Sequence, residues 1–163
     1  MQLVFALLLI VPFQATLAGG DHGHGHAHDH PAHAATQAGR PGDPRAVSRT
    51  IEITMHDNMR FVPDHVRVGA GETVRFRIRN QGRLRHEFVL GTEAELQAHA
   101  RQMRARPAMR HDDPGSVSLA PGRAGEIVWR FDQPGAARYA CLIPGHAEAG
   151  MVGTVEVVST EGT

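Results

Sequence analysis

Val74-Arg75-Phe76-Arg77-Ile78-Arg79 alternates an apolar side chain with an arginine through three repeats, and a period of two marks a strand with one buried and one wet face. The arginine face must stay solvated, so the sheet that carries this strand has a core side and a water side, as antiparallel sheets commonly do. The same pattern extends in both directions. Upstream, across the turn Gly69-Ala70-Gly71, Val66 and Val68 alternate with His65 and Arg67; earlier still, Ile51, Ile53 and Met55 alternate with Glu52, Thr54 and His56. Downstream, the turn residues Asn80-Gln81-Gly82 lead into a short apolar stretch, Leu84 to Leu90, that carries His86.

The period then changes. Thr92 and Glu95 make a capping box, and Leu96, Ala100 and Met103 fall at i, i+4 and i+7, which predicts one helix to about Arg106 before Pro107 stops it. Strand patterns resume at Val117–Leu119, Ile127–Phe131, Arg138–Cys141 and Val152–Val157. Seven or eight short strands separated by turn residues predict an all-β Greek-key sandwich with one short helical insertion, spanning residues 47–160.

What precedes position 47 has a different composition. Residues 1–18 hold the apolar run Leu3 to Val11, then Pro12 and small residues before Gly19, and read as a secretory signal peptide. The run is shorter than the roughly 20 apolar residues a spanning helix needs, and no later stretch is long enough either, so no membrane span is expected after cleavage. Residues 19–46 are rich in His, Gly, Ala, Pro and Asp with little apolar bulk, which predicts a disordered tail. Within it His22, His24, His26, His28, His30 and His33 offer an adaptable, poorly selective site for Cu(II), Zn(II) or Ni(II).

Acidic and basic side chains balance at 17 each, every basic one an arginine, which argues against a nucleic-acid-binding arm. Export places the chain in an oxidising compartment, where a single cysteine has no internal disulfide partner. That cysteine opens the stretch Cys141-Leu142-Ile143-Pro144-Gly145-His146-Ala147-Glu148-Ala149-Gly150-Met151. A thiolate, an imidazole and a thioether form a soft set that selects copper over magnesium or calcium, and a second histidine completes a His2Cys site with a weak axial Met. His86, at the edge of a middle strand, is the candidate for it. Zinc also accepts a Cys and two His, but the methionine argues for copper. Met55, His56, Met59, Met103, Met109 and His111 are candidates for a second, weaker copper site, although methionines at such spacings are usually core filler.

The spacing Cys-x4-His-x4-Met, with an upstream His86-Glu87-Phe88 in a β-rich chain, resembles the cupredoxins over roughly Ile51 to Val158. The resemblance implies one copper ion held by His86, Cys141, His146 and Met151. Met59-Arg60-Phe61-Val62-Pro63, Arg85 to Gly91, His111-Asp112-Asp113-Pro114 and Cys141 to His146 look like the periplasmic cupredoxins of bacterial copper tolerance. That likeness implies a periplasmic, non-enzymatic monomer that sequesters or redox-buffers copper. It also implies as partner a periplasmic redox protein or a copper-handling protein. The alternative is an electron carrier between redox partners. Multicopper catalysis is disfavoured because Ala140 and Leu142, not histidines, flank the cysteine. Glu87 stands where electron-transfer members often carry an Asn or Ser that braces the ligand loop, and the His-to-Met spacing is longer than in azurin-like loops.

Overall fold

The computed structural model describes residues 38–105 and 113–160. In chain order these form β1 (Arg40–Pro41), a 3-10 turn (Pro44–Ala46), β2 (Arg49–His56), β3 (Arg60–Val62), β4 (His65–Gly69), β5 (Thr73–Asn80) and β6 (His86–Gly91). Then come α1 (Glu93–Ala105), β7 (Ser116–Leu119), β8 (Ala124–Arg130), β9 (Gly135–Ala140) and β10 (Val152–Val158). One sheet has the order β1-β8-β5-β2-β3 and the other β4-β10-β9-β6-β7.

The sandwich expected from the alternation is present, with β5 at the centre of its sheet. Val74, Phe76 and Ile78 are fully buried, while on the opposite face Arg75 pairs with Glu126 of β8 and Arg77 with Glu52 of β2. Two pairings are parallel, β2 with β5 and β4 with β10. They arise because the chain leaves the first sheet after the β2–β3 hairpin, lays β4 into the second sheet, and returns as β5 beside β2. The two sheets close on a ring cluster in which Phe88 stacks on Tyr139 at 5.0 Å and meets Phe61 edge-on at 5.9 Å. The Tyr139 hydroxyl is satisfied by donating to the Pro63 carbonyl at 2.8 Å.

The capping box forms as the sequence predicts. Glu95 N donates to Thr92 Oγ1 at 3.2 Å, and Thr92 N donates to Glu95 Oε2 at 2.8 Å. The helix buries Leu96 against Val89, Ala140 and Leu142, with Ala100 packed on the same small cluster. This docks α1 beside the β9 end that leads into Cys141.

The ordered chain starts earlier than position 47. Arg40–Pro41 pairs with Trp129 and Arg130 of β8, Ala38 is buried, and the Trp129 indole donates to the Ala38 carbonyl at 2.8 Å. Residues 38–46 therefore do not belong to a disordered tail. A two-residue strand carries no periodicity, and what fixes it is the buried indole N–H, which needs an acceptor. β3, three residues long, escaped the strand pattern for the same reason. The expected signal peptide and the histidines of the tract lie outside the described residues, and among the described residues no helix is long and apolar enough to cross a membrane.

Candidate metal centre

The loop after β9 is built from short-range bonds. Ala149 N donates to the Gly145 carbonyl at 3.0 Å, Gly150 N to Ala147 at 2.9 Å and Met151 N to His146 at 3.0 Å. This is one helical turn closed by paired 5→2 and 6→1 bonds, the Schellman arrangement, with Gly150 in the left-handed position at φ 102°. A side chain at that φ is strained, and a Cβ would also lie 2.5 Å from Arg60 Nη1. The longer His-to-Met spacing is thus absorbed as a turn of helix. Its 6→1 bond ties the backbone of His146 directly to that of Met151. Cys141 N donates to the Met151 carbonyl at 3.1 Å, which closes the loop at its base.

His86 arrives from a different part of the fold. It opens β6, opposite Leu119 of β7, and is fully buried. The preceding loop is held by buried Asn80, which donates to the Leu84 and Leu119 carbonyls at 2.8 and 2.9 Å and accepts from Gly82 N at 2.9 Å.

Three donors converge. His86 Nδ1 and His146 Nδ1 stand 3.3 Å apart, Cys141 Sγ is 3.3 Å from His146 Nδ1, and all three ligand atoms lie within 4.8 Å of one another. Nitrogen and sulfur donors about 2.0–2.3 Å from one small ion in trigonal array are themselves roughly 3.5 Å apart. The set therefore fits a single ion with little rearrangement, and a pair of imidazole nitrogens with one thiolate sulfur fits copper. Met151 is fully buried in the core cluster that also contains Cys141.

The electrostatics suit a neutral His146 and a Cys141 thiol that gives up its proton only to a metal. Burial pushes the Cys141 thiol up to about 11, against the opposing backbone N–H groups of Glu87 and Ile143. Burial, reinforced by His86, lowers the pKa of His146 and keeps its ring neutral and free to ligate. The main chain of Glu87 supports the sulfur: Glu87 N donates to Cys141 Sγ at 3.3 Å. A backbone amide does this whatever the side chain.

Among the described residues the one cluster of His, Cys or carboxylate donors is His86, Cys141 and His146, and it includes none of the other candidates. Met55 is fully buried in the core, His56 contacts Thr54 Oγ1, and Met59 packs against the core from the hairpin turn. Met103 instead lines a surface cavity with Leu84, Ile143, Pro144 and His146. Met109 and His111 lie outside the described residues.

Sequence reasoning missed Asp57. Its Oδ1 is 3.1 Å from His86 Nε2, and its carboxylate also accepts from Arg83 N and Leu84 N at 2.7 and 3.1 Å. Those amides, with a further contribution from His86, hold its carboxyl below the usual range. An Asp in a short turn is an ordinary turn residue, and nothing local announces a partner 29 positions away.

The fold and the donor set define a copper-binding sandwich of the type I architecture. A family model described as "Copper binding proteins, plastocyanin/azurin family" matches residues 47–158. The chain belongs to the plastocyanin/azurin family of copper-binding proteins. It is 54% identical over 156 residues to the copper-resistant cuproprotein CopI of Rubrivivax gelatinosus, covering 93% of this chain and 94% of that one. It is 36% identical to the CopI of Pseudomonas aeruginosa, over 78% and 85% of the two chains. Among solved structures, auracyanin B superposes with a TM-score of 0.59 at 26% identity, over 74% of this chain and 96% of the other.

Proposed function

We propose that this chain is a periplasmic, mononuclear copper-binding cupredoxin that protects against excess copper by sequestering the ion or buffering it between Cu(I) and Cu(II). The observation that carries the reading is the convergence of His86 Nδ1, His146 Nδ1 and Cys141 Sγ within 4.8 Å in a largely buried pocket. His86, Cys141 and His146 would hold the ion, and Met151, buried beside Cys141 in the core cluster, would offer it a thioether as a fourth donor. Bound there, copper supplies one-electron exchange between its two oxidation states.

The residues of the chain do the rest. Imidazoles suit Cu(II) and sulfurs suit Cu(I); the loop's own hydrogen bonds fix His146, Cys141 and Met151 while β6 and Asp57 fix His86, so neither state demands a large rearrangement. Burial of Cys141 and Met151 keeps water and competing thiols from the sulfurs. The tolerance role draws on the names of the CopI relatives. The periplasmic location draws on the reading of residues 1–18 as an export signal.

A second reading, electron exchange with a redox protein, draws on the surface around His146. Its ring is only partly covered, and Leu84, Ile143, Pro144 and Met103, together with the charged Arg85 and Glu87, line a cavity of about 460 Å³ beside it.

The test is to titrate Cu(II) into the metal-free full chain. We expect an intense visible thiolate-to-copper band that saturates at one equivalent and is absent from Cys141→Ser. A colourless wild type, or a coloured Cys141→Ser, refutes the site. A deletion strain that grows normally in excess copper refutes the tolerance role and leaves the site standing. Fast electron exchange with a periplasmic cytochrome favours the second reading.

A further inference from the structure

Asp57 lies in the turn between β2 and β3, a turn closed by Met59 N donating to the His56 carbonyl at 3.1 Å. Met59 has a positive φ of 59°, uncommon for a side chain of this kind, so the turn's conformation is imposed by its surroundings. Those surroundings are the metal pocket. On one side the Asp57 carboxylate is fixed by the Arg83 and Leu84 amides, one on each oxygen, and reaches His86 Nε2. On the other side the Arg60 guanidinium donates to the carbonyls of Met59 and Ala149, both at 2.8 Å, and so ties the turn to the Gly150–Met151 corner. Gly82 packs so closely on Asp57 that a Cβ there would overlap the carboxylate. The carboxylate is thus held by contacts that do not depend on the metal.

The consequence falls on His86. Its two ring nitrogens face different partners, Nε2 a carboxylate and Nδ1 the other two donors. A carboxylate accepts but does not donate, so it selects the tautomer with the proton on Nε2 and the lone pair on Nδ1. A carboxylate behind a ligating imidazole also adds negative charge close to the ion, which favours the higher oxidation state.

We propose that Asp57 is the positioning residue of this centre: its carboxylate locks His86 in the tautomer that presents Nδ1, and its charge biases the bound copper toward Cu(II). The inference rests on the reading of His86, Cys141 and His146 as the copper site. It goes beyond that reading by giving the pocket a preferred oxidation state set from the β2–β3 turn.

The experiment compares wild type, Asp57→Asn and Asp57→Ala as full chains, by copper titration, visible spectrum, reduction potential and melting of the metal-free form. Asn keeps the size and one acceptor oxygen for the loop amides but removes the charge. We expect Asp57→Asn to bind copper with Cu(II) weakened about tenfold relative to Cu(I), a rise of about 59 mV in potential for this one-electron couple. Asp57→Ala should lose about 10–100-fold in Cu(II) affinity, as is usual when the partner of a ligating histidine is removed. If the variants lose melting temperature while potential, spectrum and affinity stay at wild-type values, Asp57 only caps the loop and the proposal is wrong. If Asp57→Ala fails to fold, Asp57→Asn decides alone. If wild type itself shows no thiolate-to-copper band, the copper site fails first and this inference with it.

Discussion

The donors of this pocket are delivered by two regions that work on opposite principles. Residues 141–151 carry Cys141, His146 and Met151 in one segment whose turn is set by bonds spanning three to five residues and one closing bond at its base, with long-range ties from Arg60 to the Ala149 carbonyl and from Glu87 N to Cys141 Sγ. His86 comes alone, and its supports come from far away in sequence: Asp57 in the β2–β3 turn, Leu119 across β7, and Asn80 at the end of β5. The loop can keep its shape wherever the sandwich holds its two ends. The aim of His86 is only as good as the packing of the whole fold. A mixed site of this kind separates a locally encoded donor set from a globally encoded one, and each half can be broken without the other.

The largest effect should come from the single remote ligand. His86→Ala leaves every bond of the loop intact, yet it should lower Cu(II) affinity by more than the roughly 100-fold reached when only an outer partner is lost. Competition against a chelator of known affinity measures this. If affinity is retained, the loop alone is the site and the comparison collapses.

Next is the packing that aims His86. Phe88, two residues along β6, is fully buried and stacked on Tyr139, and Phe88→Ala should destabilise the metal-free protein by about 3–5 kcal/mol. Denaturant unfolding gives the loss, and the copper spectrum of the surviving folded fraction should broaden as His86 wanders.

Alkaline pH probes the buried thiol. The folded thiol of Cys141 is raised to about 11 from 9.0, so its protonated form is favoured by folding. The stability this gives is fully present below about pH 9 and is lost as pH rises through about 11, by at most about 3 kcal/mol for two units. Tyr139, also raised by burial, pushes in the same direction. Melting of the metal-free chain against pH should fall across this window, and Cys141→Ala should flatten part of the fall. At neutral pH the same shift means that copper loading releases one proton from Cys141, countable by titration in weak buffer.

The smallest of these effects is local to the loop. Gly150→Ala places a Cβ in the left-handed region, at about 1–2 kcal/mol, and pushes on Arg60. Because the 6→1 bond links His146 to Met151, we expect the visible band to shift while the fold and His86 stay in place. An unchanged spectrum would mean that the loop is held by its ends and not by its own turn.

Legibility in the sequence followed the same division. The alternation in β2, β4, β5 and β10, the capping box of α1 and the cluster from Cys141 to Met151 are local patterns; the folded chain realises the strands and the cap and brings Cys141 and His146 of the cluster together. The short strands β1 and β3 have too few residues to show a period. They exist because Trp129 needs an acceptor and because β2 folds back on itself. The amide of Glu87 that donates to Cys141 Sγ is main chain, and a side-chain reading is blind to it. Met55 and Met103 looked like neighbours in chemistry and proved to be one core residue and one surface residue.

By itself the sequence determined the strand-rich sandwich and a soft donor set that suits copper, because alternation and ligand spacing are properties of consecutive residues. Only the tertiary structure decided that Asp57 stands behind His86, that Arg60 ties the same turn to the Met151 corner, and that Ala38 and Arg40 belong to the folded sheet. Those contacts join positions 29, 89 and about 90 residues apart, and no local pattern encodes a distance that only the crossing of two sheets creates.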